Sequence, residues 1–188
     1  SIQSLILSNT ILYVGGNFTS IGSQSRRNLA SFDLATGNLT AWNPDPDGWI
    51  ESSILSGTTL YVGGAFSNIG SQKRNRLAAL DTTANTNNAT DWNPVANDFV
   101  KAFALSGTTL YVGGRFTNIG SDTRRQYLAV FQSSGNTDNQ PITYTFDSAE
   151  DLKQFTTSGQ GTWTVGDGVL HVVPGTSDGD DNLFSKAT

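Results

Sequence analysis

Apolar and polar positions alternate along this chain in short bursts, and the bursts come in sets. In "TLYVGGAFS", residues 59–67, every second position puts Leu60, Val62, Gly64 and Phe66 on one face and Tyr61, Gly63 and Ala65 on the other. A period of two over that length predicts a strand. Ile50–Leu55 before it, and Arg76–Asp81 and Ala89–Trp92 after it, are similar short runs bounded by Gly, Asn, Ser or Pro, so this segment predicts four strands. Ser56-Gly57-Thr58 predicts a tight hairpin with its glycine at positive φ, a place taken by Asn9 near the start of the chain. Asn-Pro after Trp92 ends the last strand, because proline donates no ladder hydrogen bond. No stretch has a 3.6-residue rhythm, and the prediction is all-β.

The set is repeated. "SGTTLYVGGAFSNIGS" at 56–71 returns as "SGTTLYVGGRFTNIGS" at 106–121, and "SNTILYVGGNFTSIGS" at 8–23 is a looser copy. Tyr13, Tyr61 and Tyr111 are 48 and 50 residues apart, and Trp42-Asn43-Pro44 returns as Trp92-Asn93-Pro94. A period near fifty marks a repeat architecture in which each unit is one supersecondary piece. "LAAL", residues 77–80, is apolar on both faces, so the sheets are expected to be covered on both sides. Four-stranded blades stacked around an axis meet that condition, with the paired glycines where backbones crowd or a strand bends. The expectation is a partial β-propeller of about three blades, at 1–49, 50–99 and 100–138. Propellers have about four to eight blades, so further blades are expected in the same chain or in neighbouring chains.

The combined pattern LYVGGxFTxIGS…R…LAxxD…TGxxTxWNP resembles the delta-60-type β-propeller repeats of bacterial surface and secreted proteins, over roughly residues 1–135. The resemblance implies a propeller in an extracellular or cell-surface protein, and no common ligand or activity. The third copy departs from the pattern. It has Gln132 where Asp33 and Asp81 stand, one extra residue near Tyr127, and no Trp-Asn-Pro, so it reads as a last blade.

Residues 139–188 are expected to form a second domain. Residues 1–140 hold nine Lys/Arg and nine Asp/Glu, whereas 141–188 hold two and seven, so the net charge of −5 lies in the latter. "TWTV" and "VLHVV" around Gly-Asp-Gly predict a hairpin. The pattern F-D-x₄-L-x₃-F…G-x-W-x-V-x-D-G-x-L resembles the opening of a concanavalin-like or laminin-G-like jelly roll. Such a sandwich takes on the order of 100 residues, so only its N-terminal part is expected here.

Composition removes several functions. The absence of cysteine excludes disulfides and thiol chemistry. A net-acidic chain without a basic run does not suit a nucleic-acid backbone, and no apolar run of about eighteen residues exists to span a membrane. There is no P-loop, G-x-S-x-G or H-E-x-x-H. His171, the one histidine, sits in a strand-like run with no partner that would make it a general base. Asp147, Glu150 and Asp151 offer an acid/base pair to a glycan-active enzyme, but adjacent carboxylates also cap turns, and the expectation is a protein that is not an enzyme.

The candidate binding residues are of two kinds. Arg26, Arg74 and Arg124 stand at matching places after "IGS", where they either grip an anionic glycan as a ring of cations or brace their own loops. Asn17 and Arg115 follow "VGG", where the second copy has Ala65, and so are variable positions in a fixed frame. Calcium takes several flexible oxygens. Its candidate ligands are Asp178, Asp180 and Asp181, which the jelly-roll resemblance favours, with Asp45-Pro46-Asp47-Gly48 as a second acidic turn. Asn17, Asn38 and Asn88 begin N-x-S/T sequons, Asn88 in a turn expected to be exposed. Trp42 and Trp92 recur with the repeat and are expected in the core. The expected function is adhesion, or binding of a glycan or protein ligand, by a non-catalytic segment of a large extracellular or cell-surface protein. The alternatives are part of a secreted glycan-active enzyme, or an assembly subunit whose edges neighbouring chains complete.

Overall fold

The computed structural model describes residues 1–120 and 127–132, together with the backbone of four short strands between 155 and 186. The chain is all-β, its strands paired antiparallel. It divides into two compact units, Ser1–Ile142 and Thr143–Thr188.

The first unit of the repeat contains β1 (Ile2–Ser8), β2 (Ile11–Gly16), the ribbon β3 (Ser20–Ile21) and β4 (Gln24–Ser25), then β5 (Leu29–Asp33) and β6 (Asn38–Leu39). The second has β7 (Ile50–Ser56), β8 (Thr59–Gly64), the ribbon β9 (Asn68–Ile69) and β10 (Gln72–Lys73), and β11 (Leu77–Asp81). The third has β12 (Val100–Ser106), β13 (Thr109–Gly114) and β14 (Leu128–Gln132). The three main sheets run β1-β2-β5-β6, β7-β8-β11 and β12-β13-β14. Their register is the same: each first strand is bulged after its first residue, with Ile2, Ile50 and Val100 opposite Gly16, Gly64 and Gly114. Each opening hairpin turns through two residues, the first at positive φ: Asn9, Gly57 and Gly107.

The expected fourth strand is the main correction. It survives as β6 in the first unit and as the single bridge Leu80–Ala89 in the second. The Trp-Asn-Pro segments leave the sheet and run between neighbouring units instead. Trp42 stacks edge-on against Tyr13 of its own unit at 5.2 Å, and its indole N–H donates to the Asp81 carbonyl of the next at 3.1 Å. Pro44 O accepts from Gly70 N of the next unit at 2.7 Å. Trp92 likewise stands edge-on to Tyr61 at 5.2 Å and to Phe131 of the third sheet at 5.0 Å. Both tryptophans are core aromatics.

The sheets pack face to face, with one apolar cluster in each junction. Tyr13, Leu29 and Trp42 meet Ile50, Leu60, Val62, Ala78 and Leu80 in the first. Leu77, Tyr61 and Trp92 meet Val100, Leu110, Val112, Ala129 and Phe131 in the second. The "LAAL" run is buried on both faces because the second sheet is sandwiched between the other two. The junctions are close enough to require glycine. A Cβ on Gly15 would lie 2.8 Å from Ile50 Cγ2, and one on Gly63 would lie 2.5 Å from Val100 Cγ1.

A second regularity was not visible in the sequence. Asn28, Arg76 and Tyr127 hold equivalent left-handed positions, with φ of 59°, 61° and 69°. Each N–H donates to the carbonyl of Phe18, Phe66 or Phe116, and each carbonyl accepts from Gly16, Gly64 or Gly114. Tyr127 thus keeps the same place in the frame as Asn28 and Arg76.

In the second compact unit, β15 (Phe155–Thr156) pairs with β18 (Ser185–Lys186). β16 (Thr162–Gly166) forms a hairpin with β17 (Val169–Val173), as expected. His171 lies on β17 opposite Thr164.

Candidate functional site

The first strands β1, β7 and β12 lie side by side, and the residues just before them meet the ends of the second strands. Asn17, Ala65 and Arg115 each donate a backbone N–H to the residue that precedes an inner strand: Ser1, Trp49 and Phe99, at 2.8–2.9 Å. This rim is where the variable positions of the repeat collect. Asn17 and Arg115 are exposed on it.

The rim carries an aromatic platform. Trp49 is 38% exposed and lies tilted by 33° over Phe99, with ring centroids 5.9 Å apart. The Arg76 guanidinium sits 5.9 Å above the Phe99 ring and donates to Ala96 O. Arg115 approaches Asp98 at 4.0 Å. An indole face, two guanidiniums and a carboxylate thus adjoin at one edge. Sequence reasoning missed Trp49, Phe99, Arg76 and Asp98. The available signal was that Trp49 alone among the tryptophans of the repeat falls outside the Trp-Asn-Pro register.

The acidic turn 45–48 is part of the same rim but serves the frame. Arg27 grips Asp45 through two nitrogens, at 2.7 and 2.6 Å, and this hydrogen bond holds the Asp45 carboxyl below its ordinary pKa against partial desolvation. Partial burial pushes Asp47 upward, but the Asn68 amide and side chain and the Ser67 amide outweigh it, and the net shift is downward. Asn97 performs the same task in the next unit, accepting from Thr117 and Asn118 N–H at 2.9 and 3.0 Å. Both carboxylates of the turn are committed, and no group of three or more metal-ligating side chains is assembled among the described residues.

Arg26 and Arg74 serve their own units. Arg74 is buried and donates to Lys73 O and to Thr90 O, at 2.8 and 2.5 Å. Arg26 donates to Ser25 O and Thr40 O, at 3.0 and 3.2 Å. Each joins its two-stranded ribbon to the segment that follows the sheet. Arg124, Asp178, Asp180 and Asp181, and likewise Asp147, Glu150 and Asp151, lie outside the described residues. Of the sequons, Asn17 and Asn38 are exposed, but Asn88 is buried, correcting its expected exposure. Its amide N–H₂ donates to Ala84 O at 3.1 Å, folding the long turn inward.

No protein-family model and no curated protein matches this chain. Among solved structures, the chain is similar to two computationally designed proteins. Ika4 shares 14% identity over 93% of this chain and 91% of its own, with a TM-score of 0.50. Ika8 shares 13% over 76% of this chain, with a TM-score of 0.48. The chain spans about a third (36%) of the length of Ika8. At such identity the likeness to Ika4 concerns the fold alone. Among the described residues no helix is long and apolar enough to cross a membrane.

Proposed function

We propose that this chain is a non-catalytic binding module of a large extracellular or cell-surface protein: a partial β-propeller whose rim takes a glycan, with Trp49 as the stacking platform. The observation that carries the reading is the contrast among the tryptophans. Trp42 and Trp92 are held edge-on against tyrosines within the junctions, whereas Trp49 is 38% exposed on the rim against Phe99, over whose ring Arg76 also sits. An aromatic face suits the apolar face of a sugar ring, and a few fixed polar groups beside it set orientation. Arg115 and Arg76 favour an acidic sugar; the Asn17 carboxamide lies on the same rim for its hydroxyls. A protein ligand would use the same Trp and Arg anchors, since those residues dominate binding energy at interfaces.

The test is binding of the 188-residue chain to immobilised neutral, uronate-bearing and sulfated glycans, followed by calorimetry on the best. Trp49→Ala and Arg115→Ala should each weaken binding about tenfold or more with an unchanged circular dichroism spectrum. No glycan bound, or binding indifferent to both substitutions, overturns the proposal. Release of a cleaved product would favour the glycan-active enzyme instead.

A further inference from the structure

The turn that follows β11 folds around a carboxamide only half of which is satisfied. Residues 82–89 are two more than their counterparts 34–39 after β5, and the longer turn lies against the Trp-Asn-Pro linker of the unit before it. Asn43 N donates to Asn85 O at 2.9 Å, and Gly70 N donates to Pro44 O at 2.7 Å. Asn88, 1% exposed, turns its amide nitrogen to Ala84 O at 3.1 Å and to the same Asn85 O at 3.4 Å. Its Oδ1 lies on the Gly70 side, 3.0 Å from where an ideal Cβ of that glycine would be. The contacts close a loop, from Asn43 through Asn85 and Asn88 to Gly70 and back through Pro44. Two oxygens of these residues, Asn43 Oδ1 and Asn88 Oδ1, are buried with no hydrogen-bond partner among the described residues. Turning the Asn88 amide over brings no relief, because its oxygen would then face two carbonyl oxygens.

We infer that one internal water binds between these two carboxamides and donates one hydrogen to each oxygen. Both groups are acceptors, so the occupant has to be a donor or a cation. The residues of the loop, Asn43, Pro44, Gly70, Ala84, Asn85 and Asn88, are all neutral. A metal ion among them would be an unpaired buried charge, and calcium in addition favours carboxylates. A water brings two hydrogens and no charge, and two polar partners are enough to hold it. Two buried acceptors left unpaired cost more than one immobilised water. The water ties the long turn of the second unit to the linker that carries Trp42, so the junction between the first two sheets includes a solvent molecule. The site lies in the linker and not on the rim, and stands independently of the glycan reading.

A crystal of the wild-type chain grown from a rubidium salt identifies the occupant. Density for a single solvent atom should lie about 2.5–3.0 Å from both oxygens and carry no anomalous signal from rubidium. Asn43→Leu tests the bond in solution, because it deletes one acceptor while keeping a side chain of similar size. If a water serves the site, the variant takes away one of its two partners, and the urea midpoint should fall by about 0.3–1 M at constant slope. If the oxygen is instead simply unpaired, replacing it by an apolar group should raise the midpoint. A dry site in the crystal, a rubidium peak between the two oxygens, or a midpoint that rises or stays level in Asn43→Leu overturns the inference. The crystal result does not depend on the variant's folding.

Discussion

Substituting the buried glycines by alanine measures how tightly neighbouring sheets are nested. An ideal Cβ on Gly63 falls 2.5 Å from Val100 Cγ1, 2.8 Å from its Cβ and 3.1 Å from its carbonyl oxygen. Carbon contacts are optimal at about 3.5–4.0 Å, so β12 has to retreat by roughly 1 Å. Val100 is fully buried and two of those atoms belong to the strand's own frame, so no rotamer change relieves the overlap. Overpacking of this kind costs about 1–3 kcal/mol, and the narrower unfolded ensemble of alanine offsets about 0.4–1 kcal/mol of it. Gly63→Ala should therefore lose about 1–2 kcal/mol. Gly15→Ala, with nearest approaches of 2.8 and 3.2 Å to Ile50, should lose about 1 kcal/mol. Among the described residues Gly113→Ala meets only ordinary contacts at 3.7 Å and beyond, and should be neutral or stabilising by up to about 1 kcal/mol. Urea unfolding reads the series as shifts in midpoint at constant slope. Equal losses at all three glycines would show that strand geometry, and not the adjacent sheet, demands glycine. A Gly63→Ala chain as stable as the wild type would refute the close nesting outright.

Three further outcomes follow from the frame. Trp42→Phe removes the indole bond to Asp81 O and part of a nearly fully buried ring, and should cost about 2 kcal/mol in the same assay. Val95 is a β-branched residue held at φ 50°, so Val95→Gly should raise the melting temperature by a few degrees, equivalent to about 1 kcal/mol. The carboxyls of Asp45 and Asp47 are both lowered from an ordinary value of 3.8, so the stability they contribute is present above that pH and is lost as pH falls through their folded values. Asp47→Asn, imitating Asn97, should retain most of the neutral-pH stability while flattening this acid dependence, whereas Asp47→Ala should lose about 1 kcal/mol at pH 7.

Repetition made the strands legible, and it also set the limit of what could be read. The alternation in Thr59–Gly64 placed Leu60 and Val62 on one junction and Tyr61 on the other, because a period of two has only two faces to choose between. In the second unit the expected fourth strand shrinks to one bridge, because the short apolar run that would pair in a ladder inserts Trp92 between sheets instead. The left-handed positions were hidden because only Asn28 is a residue that tolerates them well; Arg76 and Tyr127 are held there by flanking backbone bonds to Phe66 and Phe116. The rim was half legible. Asn17 and Arg115 stood out as variable letters in a fixed phrase, but Trp49 lies outside that phrase, and its one signal was to fall out of the Trp-Asn-Pro register.

Because Trp42 leans on one sheet and bonds to the next, the linker between them belongs to both, and among the described residues three sheets share two such clasps. Lengthening the array by one repeat would add a whole sheet together with a whole clasp, so resistance to unfolding should climb faster than in proportion to the number of repeats. Cutting between the repeats as the letters divide them would sever a clasp. A shortened protein that keeps its shape should instead end beyond the acceptor at Asp81, and not at the close of the first written phrase.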